Sequence, residues 1–325
     1  MKKLIQNFTK QLKEALEIGA NTDLRQRDKT IKTVLITGMG GSGIGGTIIS
    51  ELADDVNIPI LVNKSYDLPS WVNEHTLVIG STYSGNTEET ISVIEKAVKA
   101  GAEVAFITSG GRAGEIAQDH NLNQIVLEGG NPPRSMLSYS LVSLMYLLNH
   151  YGISHFDIEK EINSAIRLID TEEKNTVKEA KNIADKLHGT FPIIYAVSGY
   201  EGIATRFRQQ INENSKMLCL HHTFPEMNHN ELVGWAGGNK DMSVVILRNS
   251  DDSAKNQQRI EISKTIISDH TDKVYEIWGK GDSKISRTLY HIHLEDWVSM
   301  HLSELNNVDV VEVKVIDFLK SELAK

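Results

Sequence analysis

The sequence predicts an α/β protein of two lobes, each a parallel sheet flanked by helices. Three observations carry this. Short apolar runs alternate with helical segments from Lys32 onward; a charged helical stretch interrupts the alternation; and the alternation restarts beyond it. A chain of 325 residues is long enough for two such units.

In chain order, residues 8–18 read as an amphipathic helix that cannot form a core alone and must pack on a neighbouring lobe. Residues 33–37 form the first strand, followed by a glycine-rich turn and a helix. Further strands are predicted at 58–63, 76–80, 104–108 and 124–127, then a long helix at 135–148. Residues 158–187 are charged and helical and read as a bridge. Beyond it come a strand at 193–197, a Ser198-Gly199 turn, a helix at 203–216 and strands at 242–247 and 273–277. The runs Val34-Leu35-Ile36-Thr37-Gly38 and Ile194-Tyr195-Ala196-Val197-Ser198-Gly199 share an order of strand, small-residue turn and helix, so the lobes read as related. The chain closes with Val315, Phe318, Leu319 and Leu323 at helical spacing. With a boundary near Tyr151, the domains are 1–152 and 153–325.

Composition narrows the function. The longest apolar runs, such as Val244-Val245-Ile246-Leu247, fall far short of the roughly 20 residues of a membrane helix, and the lysine-rich start lacks a signal-peptide core. The single cysteine, Cys219, permits neither an internal disulfide nor a cysteine-cluster metal site, which fits a cytoplasmic protein. A net charge of −9 argues against a nucleic-acid partner, since such binding draws on Lys and Arg neutralising phosphates.

Two glycine- and hydroxyl-bearing turns are the chemical clues. Gly38-Met39-Gly40-Gly41-Ser42-Gly43-Ile44-Gly45-Gly46 lies between a strand and a helix, where backbone N–H groups can converge on an anion. It also matches the dinucleotide fingerprint, which requires an acid closing the second strand; here that strand ends Val62-Asn63-Lys64-Ser65, with no acid before Asp67. Ser81-Thr82-Tyr83-Ser84-Gly85-Asn86-Thr87 again joins strand to helix. Its side chains crowd hydroxyls and an amide at a helix N-terminus, a setting for a phosphomonoester without a metal. The plainer reading is N-capping by Ser84 or Thr87.

Thr82-Tyr83-Ser84-Gly85-Asn86-Thr87 resembles the phosphosugar loop of the sugar isomerase (SIS) domain, and residues 38–46 resemble that fold's first turn. With two lobes and the Gly-Met-Gly-Gly-Ser-Gly opening, the chain from Lys32 onward resembles the bifunctional phosphoglucose/phosphomannose isomerase family. The resemblance implies two SIS-type lobes, no cofactor, a homodimer and an aldose–ketose isomerase. Its expected substrates are glucose 6-phosphate and fructose 6-phosphate, with mannose 6-phosphate second.

It also implies roles. Gly41, Ser42, Thr82, Ser84 and Thr87 bind the phosphosugar. Glu213 matches the family's base, although a helical Glu among Arg and Lys reads on its own as a solvated ion pair. His229 matches the ring-opening histidine contributed across the dimer interface; the bland alternative is a helix-start histidine beside a capping Asn228. Arg134, in Asn131-Pro132-Pro133-Arg134-Ser135, would stabilise an enediolate, or else be a loop arginine in water. Lys320 matches the family's C-terminal lysine, or is simply solvated.

One departure bears on specificity. Where the family often has an Asp-Pro-Thr turn associated with accepting both C2 epimers, this chain reads Asn307-Val308-Asp309-Val310-Val311-Glu312, so glucose-type isomerisation is expected to survive better than mannose-type. The rivals are a dehydrogenase, a metal site at His221, His222, Glu226 and His229, and a non-catalytic SIS phosphosugar sensor. The histidine spacing lacks the His-Glu-x-x-His pair, and adjacent histidines on a strand face opposite ways.

Overall fold

The computed structural model describes residues 1–26 and 29–323. The chain divides into two compact units: a first of residues 6–170 with 281–286, and a second of residues 1–5, 171–280 and 287–325.

After α1 (Lys2–Gln6) and α2 (Phe8–Asn21), the chain runs β1 (Thr33–Thr37), α3 (Gly40–Leu52), β2 (Ile60–Asn63), β3 (Thr76–Thr82) and α4 (Glu88–Lys99). It continues through β4 (Glu103–Thr108), α5 (Gly111–Asp119), β5 (Asn123–Val126), α6 (Leu137–His150) and α7 (Ile158–Leu187). The strands of the first unit form one parallel sheet in the order β2-β1-β3-β4-β5. β3 is buried along its whole length, which is why its centre, Leu77-Val78-Ile79, is an unbroken apolar run and not an alternating one.

One face of this sheet carries Leu35, Val78, Val104 and Phe106 against Ile94 and Ala97 of α4 and Ile116 and Ala117 of α5. α6 is apolar nearly all round and buried, as its sequence demands. The amphipathic α2 finds its partner there: Ser138 Oγ donates to Gln11 Oε1 at 2.9 Å, and a Cβ at Gly19 would fall 2.1 Å from the Tyr146 ring. The early helix thus packs within the same unit as the first sheet.

In the second unit the order is β6 (Phe191–Val197), α8 (Glu201–Ser215), β7 (Leu220–Phe224), α9 (Glu231–Gly234), β8 (Met242–Arg248), α10 (Ala254–Ser268) and β9 (Val274–Trp278). α11 (Lys284–Leu305) and α12 (Lys314–Leu323) follow. The sheet is again parallel, ordered β7-β6-β8-β9. Its core joins Tyr195 and Val197 of β6 and Val244 and Ile246 of β8 to Phe224, Trp235, Ile260 and Ile267. α12 buries none of its residues: Val315 is 82% exposed and Phe318 66%. None of the described helices is long and apolar enough to cross a membrane.

Candidate active site

In an open parallel sheet, the crevice for a ligand opens at the carboxyl ends of two neighbouring strands whose connections run opposite ways. In the first sheet those strands are β1 and β3, paired in register up to Thr37 and Gly80. Gly38-Met39 and the 81–87 turn leave these two ends, the glycines from Gly40 on forming the first turns of α3, so the fold itself sets the two glycine- and hydroxyl-bearing segments side by side.

They are stitched together. Ser81 Oγ donates to the Ser42 carbonyl at 2.9 Å, and Tyr83 N donates to Ser42 Oγ at 3.0 Å. The second bond uses a lone pair of the Ser42 hydroxyl and not its hydrogen. Gly85 has φ +72°, and a Cβ there would fall 1.7 Å from the Gly110 carbonyl oxygen, so only glycine lets this turn close.

Thr87 occupies the N-cap of α4, yet its side chain makes no capping bond; its hydroxyl lies 3.0 Å from that of Thr82. Ser84 Oγ accepts from Asn86 N at 3.3 Å within the turn. Neither hydroxyl caps the helix, so ordinary capping does not account for the cluster. Glu88 and Glu89 in the first turn of α4 already complement the positive end of the helix.

Arg134 sits on a short 3₁₀ turn, Pro133–Ser135, and is only 6% exposed. It is therefore not an arginine loose in water. Gly41 explains the approach: a Cβ at Gly41 would fall 2.8 Å from both N and Cα of Arg134. Tyr83, which the sequence reading passed over, anchors the segment leading to Arg134. Its hydroxyl donates to the Glu128 carbonyl at 2.8 Å and accepts from Asn131 N at 3.2 Å. A large aromatic inside a run of small hydroxyl residues was the available signal.

The dinucleotide reading finds Asn63 committed elsewhere. Its amide accepts from Ser65 N and donates to the Asp67 carbonyl, both at 2.8 Å, closing the turn after β2.

The other candidates belong to the second unit. Glu213 lies in the last turn of α8, partly buried, with Lys216 Nζ donating to its carbonyl at 2.7 Å. His229 ends the 3₁₀ turn Glu226–His229 and is exposed. Asn228 is not the cap there: its Nδ2 donates to Ser263 Oγ at 2.8 Å, and Asn230 caps α9 through Glu231 N at 2.6 Å. Lys320 is exposed on α12. His221 Nε2 pairs with Thr205 Oγ1 at 2.9 Å, while Thr223 N donates to His222 Nδ1 at 2.7 Å. Among the described residues no group of His, Cys, Asp and Glu is arranged to hold a metal ion.

The corresponding crevice of the second sheet, between β6 and β8, is filled differently. The Tyr200 hydroxyl bonds both oxygens of Asp251, at 2.9 and 3.0 Å. Arg287 pairs with Asp251 at 2.6 Å, and its Nε donates to the Tyr200 hydroxyl at 3.2 Å.

Two parallel-sheet lobes, with a hydroxyl-lined turn at the switch point of the first, define a protein of the SIS phosphosugar class. The C-terminal domain of glucosamine-fructose-6-phosphate aminotransferase from Francisella tularensis shares the fold, with a TM-score of 0.75 at 14% identity over 95% of this chain and 97% of that one. A family model, the bacterial phospho-glucose isomerase C-terminal SIS domain, matches residues 176–323. The bifunctional phosphoglucose/phosphomannose isomerase of Caldicellulosiruptor bescii is 37% identical over 99% of this chain and 98% of its own length. The protein of the same name from Thermoplasma acidophilum is 34% identical over 98% and 97%. The chain belongs to the bifunctional phosphoglucose/phosphomannose isomerase family.

Proposed function

We propose that this isomerase interconverts glucose 6-phosphate and fructose 6-phosphate, and mannose 6-phosphate and fructose 6-phosphate, by proton transfer through an enediolate. The observation that carries the reading is the Thr82–Thr87 pair, whose hydroxyls meet each other at the head of α4 instead of capping it. With Gly41, Ser42 and Ser84, they form a donor set suited to a phosphomonoester.

The chemistry then needs three functions. A base takes the proton from C2 and returns it to C1; Glu213 does this, and proton removal from either face of C2 distinguishes the glucose and mannose epimers. A cation steadies the oxyanion that develops across C1 and C2; Arg134 supplies it from a buried, fixed position. An acid/base pair opens the ring, the work of His229 and Lys320. No cofactor enters this scheme.

We also infer a cytoplasmic homodimer in which His229 acts across the interface. The exposed apolar face of α12 supports association, because an isolated helix of this length is marginal in water without a surface to pack on.

Incubating the protein with fructose 6-phosphate and resolving glucose and mannose products tests the activity and its epimer range. Glu213→Gln is expected to bind phosphosugar normally while losing about 10²- to 10⁴-fold in kcat. A fully active Glu213→Gln enzyme would remove Glu213 from the role, and phosphosugar binding with no isomerisation by the unmodified chain would favour a sensor.

A further inference from the structure

α11 is buried for most of its length, and it carries Glu295 and Asp296 side by side in its buried middle. Asp296 faces α8. Its carboxylate receives Arg206 Nη1 at 2.6 Å, Arg206 Nη2 at 3.0 Å and Gln210 Nε2 at 2.6 Å. All three side chains are buried. One α11 turn further on, Ser299 Oγ accepts from Asn214 Nδ2 at 2.9 Å, and Ser215 Oγ donates to the Ser299 carbonyl at 2.9 Å. Asn306 Nδ2 then donates to the Ser215 carbonyl at 2.8 Å.

These bonds have a pattern. Arg206, Gln210 and Asn214 recur at every fourth position of α8 and so share one stripe of the helix. Glu213 lies next to that stripe, three residues after Gln210 and immediately before Asn214. The held positions therefore bracket Glu213 on both sides along the helix. A carboxylate gripping a planar guanidinium through two bonds fixes direction as well as distance, and burial removes the water that would otherwise compete for either group.

We infer that Asp296 is a positioning residue for Glu213: by holding Arg206 and Gln210, it fixes the rotation and axial setting of α8 and hence where the carboxylate of Glu213 stands. The inference rests on Glu213 being the base. With side-chain ends about 6 Å from a helix axis, a rotation of about 10° moves the carboxylate by about 1 Å. A displacement of that size costs on the order of 10²-fold in rate. Asp296 meets no substrate in this scheme; it acts through α8.

The test compares Asp296→Asn, which keeps the shape and removes the charge, with Arg206→Met/Asp296→Leu, which replaces the pair by apolar side chains. The second variant is included because buried ion pairs are commonly replaceable in this way without unfolding, whereas a lone buried arginine is not. The substrate is glucose 6-phosphate, unlabelled or deuterated at C2. The expected result for folded variants is a fall in kcat of roughly 10- to 100-fold with KM within about twofold, and a larger isotope effect on kcat as proton abstraction becomes limiting. Asp296→Asn added to Glu213→Gln should cost no further rate, since its effect runs through Glu213.

Full kcat in Arg206→Met/Asp296→Leu, melting like the parent, would overturn the inference. A further tenfold loss on top of Glu213→Gln, or a raised KM with unchanged kcat, would overturn it as well. Glu213→Gln alone separates the two failures. If it is fully active, the base assignment falls and the inference with it; if it is inactive while the apolar pair runs at full rate, the inference falls alone.

Discussion

Replacing Tyr83 by Phe removes one oxygen and little else. That hydroxyl donates to the Glu128 carbonyl and accepts from Asn131 N, and the side chain is 8% exposed, so water does not readily replace either bond. Each bond contributes about 0.5–1.5 kcal/mol net, giving about 1–3 kcal/mol in all. Taking about 2 kcal/mol, the melting temperature should fall by about 4–8 °C for a unit of this size. Since Asn131 leads directly into Pro133–Ser135, the loosened segment should also cost about tenfold in kcat through Arg134, while phosphosugar affinity, set by the turns around Ser42 and Thr82, stays close to the parent's. Thermal unfolding followed by circular dichroism, alongside a coupled isomerase assay, reads both effects. A Tyr83→Phe protein that melts within 1 °C of the parent, on the order of a few tenths of a kcal/mol, would refute the anchoring role.

The remaining predictions concern α11 and α12. Glu295 is fully buried, and among the described residues neither carboxylate oxygen has a hydrogen-bond partner; burial raises its pKa well above the ordinary value. The folded chain thus holds a proton that the unfolded chain releases from about pH 4.5 upward, so stability falls as pH rises through that window. Burial also pushes Asp252 up to about 6, which adds a loss in the same sense from about pH 3.8 to 6. His291, pushed down to about 4 by burial, works in the opposite sense, costing stability as pH falls from 6.5 to 4. Glu295→Gln is therefore expected to stabilise the protein at pH 8 and not at pH 4.5, as read from melts at both pH values; equal shifts at the two would contradict the assignment. For the proposed homodimer, replacing Phe318 and Leu319 together by Ser is expected to shift light-scattering mass from dimer toward monomer at micromolar concentration, and an unchanged mass would remove α12 from the proposed interface.

Legibility followed burial geometry. The strands of the first sheet were readable because central parallel strands, buried on both faces, leave unbroken apolar runs such as Leu77-Val78-Ile79. The amphipathic α7 was readable at both ends, from Ile158 to Leu187. β7 was not, because an edge strand reading Leu220-His221-His222-Thr223-Phe224 lacks an apolar run. α11 escaped for the opposite reason: buried on nearly every side, it has no polar stripe to mark a helical period. At the candidate site, the hydroxyl turn was evident from residue types alone, but that the Thr87 hydroxyl meets Thr82 and makes no capping bond was visible only in the structure. The burial of Arg134 depends on Gly41, distant in sequence, and on Tyr83 holding the approach. The Asp296 bonds pair residues 86 and 90 positions apart, beyond the reach of any local pattern.

The filled crevice of the second sheet has a consequence for how the two lobes divide labour. An anion entering between β6 and β8 would meet the carboxylate of Asp251 first, with the guanidinium of Arg287 already spent on that same acid. The matching strand–turn–helix openings thus lead into crevices with different contents. The first lobe carries the hydroxyl turn proposed to take the phosphate, whereas the second fills its crevice with its own side chains, so sugar phosphate is expected to saturate at one equivalent per chain.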